Sequence, residues 1–419
     1  MNKEIKERIE TINKGEVPDG FIKGEVGLIP VDWKTAVLND ISEIITKTAG
    51  KGIYETVSIS AGVGFVNQAK KFGKELSGKQ YEKYIVLYKG DFSYNKGNSK
   101  TYPQGCIYRL NDRETAAVPN VFESFRIKSG CAYYYDQLFT SGFLNKQLSR
   151  KINHGVRDDG LLNLTGKDFY SCVLPFPPVK EQEKIAEILS RCDKVIEECE
   201  KQVEEYKSLK KTCLGKMFPK KGSNVPEIRF PGFTDAWEQR KAKDLCSIST
   251  GKSNTQDRVA DGIYPFYVRS PIVEHSNRYL FDEEAVLTVG DGVGTGKVFH
   301  YVNGKYDLHQ RVYRMFDFSE EIKTKYFYYY FSNHFYDRVM AMTAKTSVDS
   351  VRYEMIADMD IALPKIQEQI AISDYFDQLD NLIALHQRKV NAYTQMKKAL
   401  TQLLLTGIVR VNKQKEILP

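Results

Sequence analysis

The sequence predicts an α+β protein with an internal pseudo-twofold repeat: two mixed α/β domains separated by two long antiparallel coiled-coil helices. Three observations lead there. The only two tryptophans, Trp33 and Trp237, open matching segments in which Asp40, Ile44 and Thr46 recur as Asp244, Ile248 and Thr250 at one constant offset. Two segments, from Pro177 and from Pro364, match each other at ten positions: Pro177, Glu181, Gln182, Ile185, Asp193, Ile196, Val203, Tyr206, Lys210 and Lys211 recur as Pro364, Glu368, Gln369, Ile372, Asp380, Ile383, Val390, Tyr393, Lys397 and Lys398. Between these ends the two interiors have diverged. A repeat this large means one binding unit used at two places.

Taken in order, residues 1–22 form an N-terminal helix and arm, because Ile5, Ile9 and Ile12 fall at helical spacing before a Gly/Pro-rich stretch. Residues 23–178 form the first mixed domain, with short apolar runs such as Tyr84 to Tyr88 and Cys106 to Leu110. Residues 179–218 are the central long helix, 219–235 a Pro/Gly/Lys-rich linker of the extended kind, 236–363 the second mixed domain, and 364–410 the C-terminal long helix. With Ile185 as position a, the a/d seam reads Ile185, Ile188, Cys192, Val195, Cys199, Gln202, Tyr206, Leu209, Cys213. The second copy reads Ile372, Tyr375, Leu379, Leu382, His386, Lys389, Tyr393, Met396, Leu400. Sustained over about four heptads, such a seam specifies coiled-coil packing. Helices of roughly 35 residues span about 50 Å. The simplest arrangement pairs them intramolecularly, with Ile185, Ile188, Val195, Tyr206 and Leu209 packed against Ile372, Tyr375, Leu379, Leu382, Tyr393 and Met396. Gln202, His386 and Lys389 read as register or edge positions. Ten identities at one offset argue against two unrelated core helices.

Composition sets the class without deciding function. With 419 residues, 42% hydrophobic and 27% charged, the chain is an ordinary globular protein of two or three domains. Its net charge of +7 is compatible with a polyanionic partner and equally with none. Seven cysteines without a C-x-x-C pair suggest reduced thiols, and no window has the apolar length of a membrane span, so a cytoplasmic location is expected.

The segment EIRFPGFTDAWEQRKAKDL, Glu227 to Leu245, and the paired stretches FPPVKEQEKIAEIL and LPKIQEQIAISDYF resemble the specificity (S) subunit of bacterial type I restriction-modification systems. The opening IPVDWKTAVLNDI, Ile29 to Ile41, is similar to the start of that family's target-recognition domains. The duplicated Pro to Glu-Gln segment before a long helix is its most specific part, and the resemblance runs from about residue 23 onward. It implies a non-catalytic, sequence-specific DNA-binding subunit whose two target-recognition domains read an asymmetric bipartite target in double-stranded DNA. It also implies docking of two adenine methyltransferase (M) subunits and, through the complex, restriction/translocase (R) subunits with nuclease activity. S-adenosylmethionine, ATP and Mg are then expected in the partners, with no cofactor in this chain.

The residues are consistent with a chain lacking its own transferase. The Asn/Asp-Pro-Pro-aromatic loop of an adenine methyltransferase is missing, since the one Pro-Pro pair, Pro177-Pro178, follows Phe176. The glycine-rich VGDGVGTGKVF, Val289 to Phe299, fails a Walker A pattern at Asp291 and Val298, and fails G-x-G-x-x-G at Thr295 and Lys297. It reads as a tight strand turn or a backbone-exposing loop against DNA. The His and Cys residues never fall at zinc spacings.

Reading a duplex needs cations for phosphates and amide, guanidinium or hydroxyl groups for base edges. In the first domain Lys96, Asn98, Ser99, Lys100 and Tyr102 form one candidate cluster, and Asn153 and Arg157, beside His154 and Asp158, a second. In the second domain Lys252, Asn254 and Arg269 precede the glycine loop, Lys297 and Arg311 follow it with His309 and Gln310, and Lys345, Ser347 and Arg352 occupy the place of the 153–158 cluster. A solvated loop has the same composition, so contact and solvation both remain open. The aromatic run Tyr326 to Phe331 reads as core rather than a stacking platform. The alternative for the whole chain is a coiled-coil scaffold with two protein-interaction domains and no DNA contact.

Overall fold

The computed structural model of the chain describes residues 3–73, 78–97, 101–152, 161–220, 222–292, 294–342 and 350–411. It divides into two compact units, one formed by the chain up to Glu198 with the residues from Val390 onward, the other by Cys199–Lys389.

The first unit runs α1 (Lys3–Asn13), β1 (Phe21–Gly24), β2 (Gly27–Pro30), β3 (Lys34–Val37), α2 (Leu38–Ile41), β4 (Ser42–Ile44), β5 (Val57–Ser60), β6 (Gly64–Asn67), α3 (Gln68–Phe72), β7 (Ile85–Tyr88), β8 (Phe92–Asn95), β9 (Cys106–Arg109), β10 (Thr115–Val118), β11 (Glu123–Ile127), α4 (Ala132–Thr140), α5 (Asn145–Lys151), α6 (Gly166–Tyr170), β12 (Val173–Phe176), and then enters α7 (Val179–Met217). Strand β5 shows why these segments extend: Val57 and Ile59 point inward while Ser58 and Ser60 alternate outward. Strands β4, β11, β8 and β9 make a four-stranded sheet in that order, with β7–β10 and β5–β6 as separate ladders. On the sheet, Phe92 stacks on Phe125 at 5.3 Å and Tyr94 on Phe169 at 4.6 Å. The same core takes in Trp33, Ile185 and Leu189 from the start of α7, and Leu404 and Leu405 from the other long helix.

In the second unit the order is β13 (Glu238–Lys241), α8 (Ala242–Leu245), β14 (Ser247–Thr250), β15 (Tyr264–Tyr267), β16 (Val273–Ser276), β17 (Phe281–Val289), β18 (Phe299–Leu308), β19 (Val312–Phe316), α9 (Thr324–Met342), α10 (Tyr353–Ala357), β20 (Asp360–Leu363) and α11 (Ile366–Leu405). One six-stranded sheet, β14-β19-β17-β18-β15-β16, replaces the divided sheets of the first unit. Its axis is the β17–β18 hairpin, paired from Phe281↔Tyr306 to Thr288↔Phe299. Strand β15 joins β18 in parallel, Phe266 opposite Asp307. The aromatic run lies on α9 as core: Tyr326, Phe327 and Phe331 are fully buried.

The ends of the two units are the same structure twice. In the first, β3 pairs with β12, Val37 opposite Val173; in the second, β13 pairs with β20, Lys241 opposite Asp360. Each ladder leads into a one-turn helix, α2 or α8, and each unit closes with a short helix, α6 or α10, before its last strand. Trp33 and Trp237 are 3% and 2% exposed, so both tryptophans are core.

The two long helices run antiparallel. In the first unit Lys397 of α11 donates to Asp193 of α7, and in the second Lys210 of α7 donates to both oxygens of Asp380 on α11 at 2.6 and 2.8 Å. These are the same pair of repeat positions met from opposite helices. One half of the expected seam needs correction. Val195, Leu209 and Met396 are exposed rather than packed, at 46%, 43% and 55%, and Lys389 is exposed. Ile185, Ile372 and Leu379 are buried, while Ile188, Tyr206, Tyr375, Leu382 and Tyr393 are half-buried. The second line lies one residue later: Leu189, Val203 and Met217 are buried with Ile196 and Lys210 half-buried, and in α11 Phe376, Val390 and Leu404 are buried with Ile383 and Lys397 half-buried. Ile185 is therefore a d-type position, followed at a spacing of four and then three. The pattern was ambiguous because apolar residues stand side by side at Ile188-Leu189, Val195-Ile196, Tyr375-Phe376 and Leu382-Ile383.

The duplicated Glu-Gln pairs begin each helix. Glu181, fully buried, accepts from Trp33 Nε1 at 3.0 Å and from Arg410 at 2.8 and 3.0 Å, and Arg410 also grips Asp32. Glu368, 1% exposed, accepts a two-pronged bond from Arg229 at 2.6 and 2.7 Å. Gln182 accepts from the Cys131 amide and donates to Pro177 O; Gln369 accepts from the Lys323 amide and donates to Pro364 O. The acid complements the helix N-terminus, and the amide fastens the helix to its domain.

Candidate nucleic-acid interface

Around the six-stranded sheet, turns separated in sequence meet through backbone contacts. The turn after β14 touches the turn after β18: Ser253 bridges His309, and the Lys252 and Ser253 amides donate to Leu308 O at 3.1 and 3.0 Å. A Cβ on Gly251 would stand 2.1 Å from Leu308 O, so only glycine fits there. The glycine-rich turn after β17 joins these turns: the Gly290 amide donates to Arg311 O at 2.8 Å, and the Val351 amide to Gly290 O at 2.7 Å. The glycine motif is thus a close-approach turn, and its flank Asp291 bridges Ser350.

These contacts gather most of the second-unit candidates. Lys252 is exposed. Asn254 caps a short 3-10 turn, Thr255–Asp257, while its Oδ1 accepts from Gln310 Nε2 at 2.6 Å. Arg269 and Arg311 both face Asp291, at 3.4 and 3.8 Å. Lys297 is exposed with its ammonium 4.7 Å from the Tyr336 ring centroid. Arg352 is exposed at the N-terminal end of α10. Buried His309 accepts the Arg311 amide on Nδ1 at 3.0 Å, and burial first, with Arg269 beside it, holds its pKa below the usual range. The cationic side chains of these turns are lysine and arginine.

In the first unit, described residues beside the two candidate clusters touch. Gly97 bridges Leu161, and the Leu162 amide donates to Lys96 O at 2.9 Å. Lys96 is mostly covered and paired with Glu123 at 3.0 Å, so its charge is met inside the protein. Tyr102 is half-buried, with its hydroxyl 3.3 Å from where a Cβ of Gly62 would lie. Asn98, Ser99, Lys100, Asn153, Arg157, Lys345 and Ser347 lie outside the described residues, as do His154, Asp158 and Thr346.

Sequence reasoning passed over several members of the second-unit cluster. Arg278 donates to Asp257 at 2.8 Å and Ser253 at 3.1 Å, and lies 3.6 Å from fully buried Asp307. Asp307 accepts from Ser253 Oγ at 2.5 Å. The signal for carboxylates such as Asp257 and Asp291 would have been acids standing within basic turns. Among the described residues, no group of three or more His, Cys, Asp or Glu side chains is placed to hold a metal, and no helix is long and apolar enough to cross a membrane.

The sequence model of the family described as "Type I restriction modification DNA specificity domain" matches residues 30–205 and again 234–395, most of the chain. The chain belongs to this family. Each match in the specificity family begins just ahead of one tryptophan and continues into the long helix that closes that repeat. Among relatives, the type I restriction enzyme MjaVIII specificity subunit of Methanocaldococcus jannaschii is 27% identical over 309 residues, 66% of this chain and 70% of that protein. The putative type I restriction enzyme MjaX specificity subunit of the same organism is 23% identical over 437 residues, 94% and 97% of the two chains. The fold is shared with the crystal structure of a type I restriction-modification S subunit from M. genitalium, at TM-score 0.60 and 13% identity over 89% of this chain and 96% of that one. It is also shared, at TM-score 0.51 and 16% identity over 91% and 99%, with a chain from a structure described as the structural basis of complex assembly and conformational transition of the type I R-M system.

Proposed function

We propose that this chain is the sequence-specific DNA-binding specificity subunit of a type I restriction-modification complex. The observation that carries the reading is that a DNA specificity domain is matched twice, once on each half of the repeat. The two dissimilar interiors read two different half-sequences, so the target is asymmetric and bipartite, with a spacer set by the helix pair. The chain itself is non-catalytic. Two adenine methyltransferase subunits dock on it and carry S-adenosylmethionine; restriction/translocase subunits, using ATP and Mg, join through them. The cationic turns that meet in the second unit support DNA contact through Lys252, Arg269, Arg311 and Arg352, each exposed or half-exposed. Lys96 contributes less, being paired with Glu123.

The test uses the purified chain with and without its methyltransferase partner. Duplex binding is expected to weaken with salt at a logarithmic slope of about −0.9 per phosphate contacted, and methyl transfer is expected only with the partner. No duplex binding at low salt by the assembled complex would leave the protein-scaffold reading; methyl transfer by the chain alone would make it an enzyme.

A further inference from the structure

The glycine-rich turn of the second unit carries an acid that no phosphate-binding loop calls for, and that acid organises two arginines. Asp291 Oδ1 faces Arg269 Nη1 at 3.4 Å and Asp291 Oδ2 faces Arg311 Nε at 3.8 Å. The three residues come from three different turns, after β17, after β15 and before β19. Backbone contacts fix the turns of Asp291 and Arg311 to each other: the Gly290 amide donates to Arg311 O at 2.8 Å, and a Cβ on Gly290 would stand 2.7 Å from that same oxygen. The carboxylate is a quarter exposed, whereas the guanidinium side chains are 48% and 66% exposed.

Two features separate this trio from a structural ion pair. One carboxylate faces two guanidinium groups, so a net positive charge is left at the surface. The separations also exceed the roughly 2.7–2.9 Å of a tight charge-assisted bond, and each guanidinium has five donors in a fixed fork, most of them uncommitted to Asp291. Arg314 shows the contrast within the same sheet. It is largely covered, lies over the rings of Phe281 and Phe316, and pairs with Glu283.

We propose that Arg269 and Arg311 read guanine in the half-target taken by the second unit, with Asp291 as the positioning residue that sets their guanidinium planes; the inference rests on the DNA-reading function proposed above. Guanine presents two acceptors, N7 and O6, side by side in the major groove, matching a guanidinium fork, whereas adenine places a donor at N6 that opposes it. A phosphate contact needs only charge and tolerates a mobile side chain. An acid beside the contact is unfavourable for general phosphate attraction, and its benefit lies in direction. Asp291→Asn therefore holds nonspecific DNA at least as well as the parent chain while discriminating bases less.

The experiment maps methylated sequences in cells expressing the assembled complex with the parent chain, Arg269→Lys, Arg311→Lys, Asp291→Asn or Asp291→Glu, and follows thermal unfolding and the salt dependence of duplex binding for each. The expected result is relaxation at one guanine position of one half-target, with discrimination falling about tenfold or more. The other half-target and the unfolding temperature stay unchanged, and Asp291→Glu restores part of the discrimination. A parent target without guanine in either half, or variants that weaken binding equally on all sequences with a shallower salt slope, would overturn the guanine assignment while leaving DNA reading intact. A parent complex that methylates without sequence preference would instead sink the DNA-reading function itself.

Discussion

Asp136 illustrates how a single side chain records its surroundings. It lies on α4 with only 7% of its surface exposed. Burial pushes its pKa up to about 6, while Arg109 and the Asn111 amide, 3.5 Å away, pull it back. The folded state therefore holds this proton more tightly than the unfolded chain, whose aspartates titrate near 3.9. The stabilisation is complete below about pH 4 and is lost as pH rises through about 6. Asp136→Asn keeps an acceptor for Asn111 without a charge to bury, so it is expected to stabilise the first unit by about 1 to 3 kcal/mol above pH 7 and to change little near pH 4. Thermal unfolding at both pH values checks this, and parallel shifts at the two would refute it. Nothing in the run Tyr133-Tyr134-Tyr135-Asp136-Gln137 announces such an environment, because it depends on which strand α4 covers. Arg269 and Arg311 were legible as cations near turns. Their brace was not, since Asp291 stood out in the sequence only as a mismatch to a phosphate loop.

Among the elements, the long helices were the most readable and also the place of a systematic error. Length, absence of proline and the repeat were plain, and one line of the seam, Ile185 to Cys213, could be written from sequence. The other line went astray wherever two apolar residues were adjacent, and only packing chooses between Ile188 and Leu189 or between Tyr375 and Phe376. The ion pairs at helix starts were half visible: Glu181 and Glu368 matched, but Arg410 and Arg229 stand at different distances beyond the ends of α11 and α7. Arg229 and Glu368 are both largely buried, at 14% and 1% side-chain exposure. Removing one partner of a buried pair strands the other charge, so Arg229→Ala is expected to destabilise the second unit by about 3 to 5 kcal/mol. Arg229→Met together with Glu368→Met should recover most of that loss. Urea unfolding in a Trp33→Phe background, where Trp237 alone reports, measures both; equal losses in the single and double variants would show that the charge pairing is not the cause.

At the scale of the whole molecule, the repeat organises everything except the reading surfaces. Matching ends gave the ladders β3–β12 and β13–β20, the buried tryptophans and the paired helices. The interiors resisted because their strands pair across long separations: β4 joins β11 in one unit, and β15 joins β18 in parallel in the other. Short, weakly periodic strands do not declare such partners in sequence. The crossed helix clamps carry one last consequence. Arg229 follows α7 yet secures the beginning of α11, and Arg410 follows α11 yet secures the beginning of α7. A fragment ending near residue 235 would keep Glu181 and the apolar faces of Ile185 and Leu189 but forfeit what covers them, while its own Arg229 would have no acid to meet. A second copy of the fragment offers the missing complement, so truncation is expected to yield a dimer of half-chains rather than a folded monomer. Sedimentation of residues 1–235 decides the matter, a stable monomer being the contrary result.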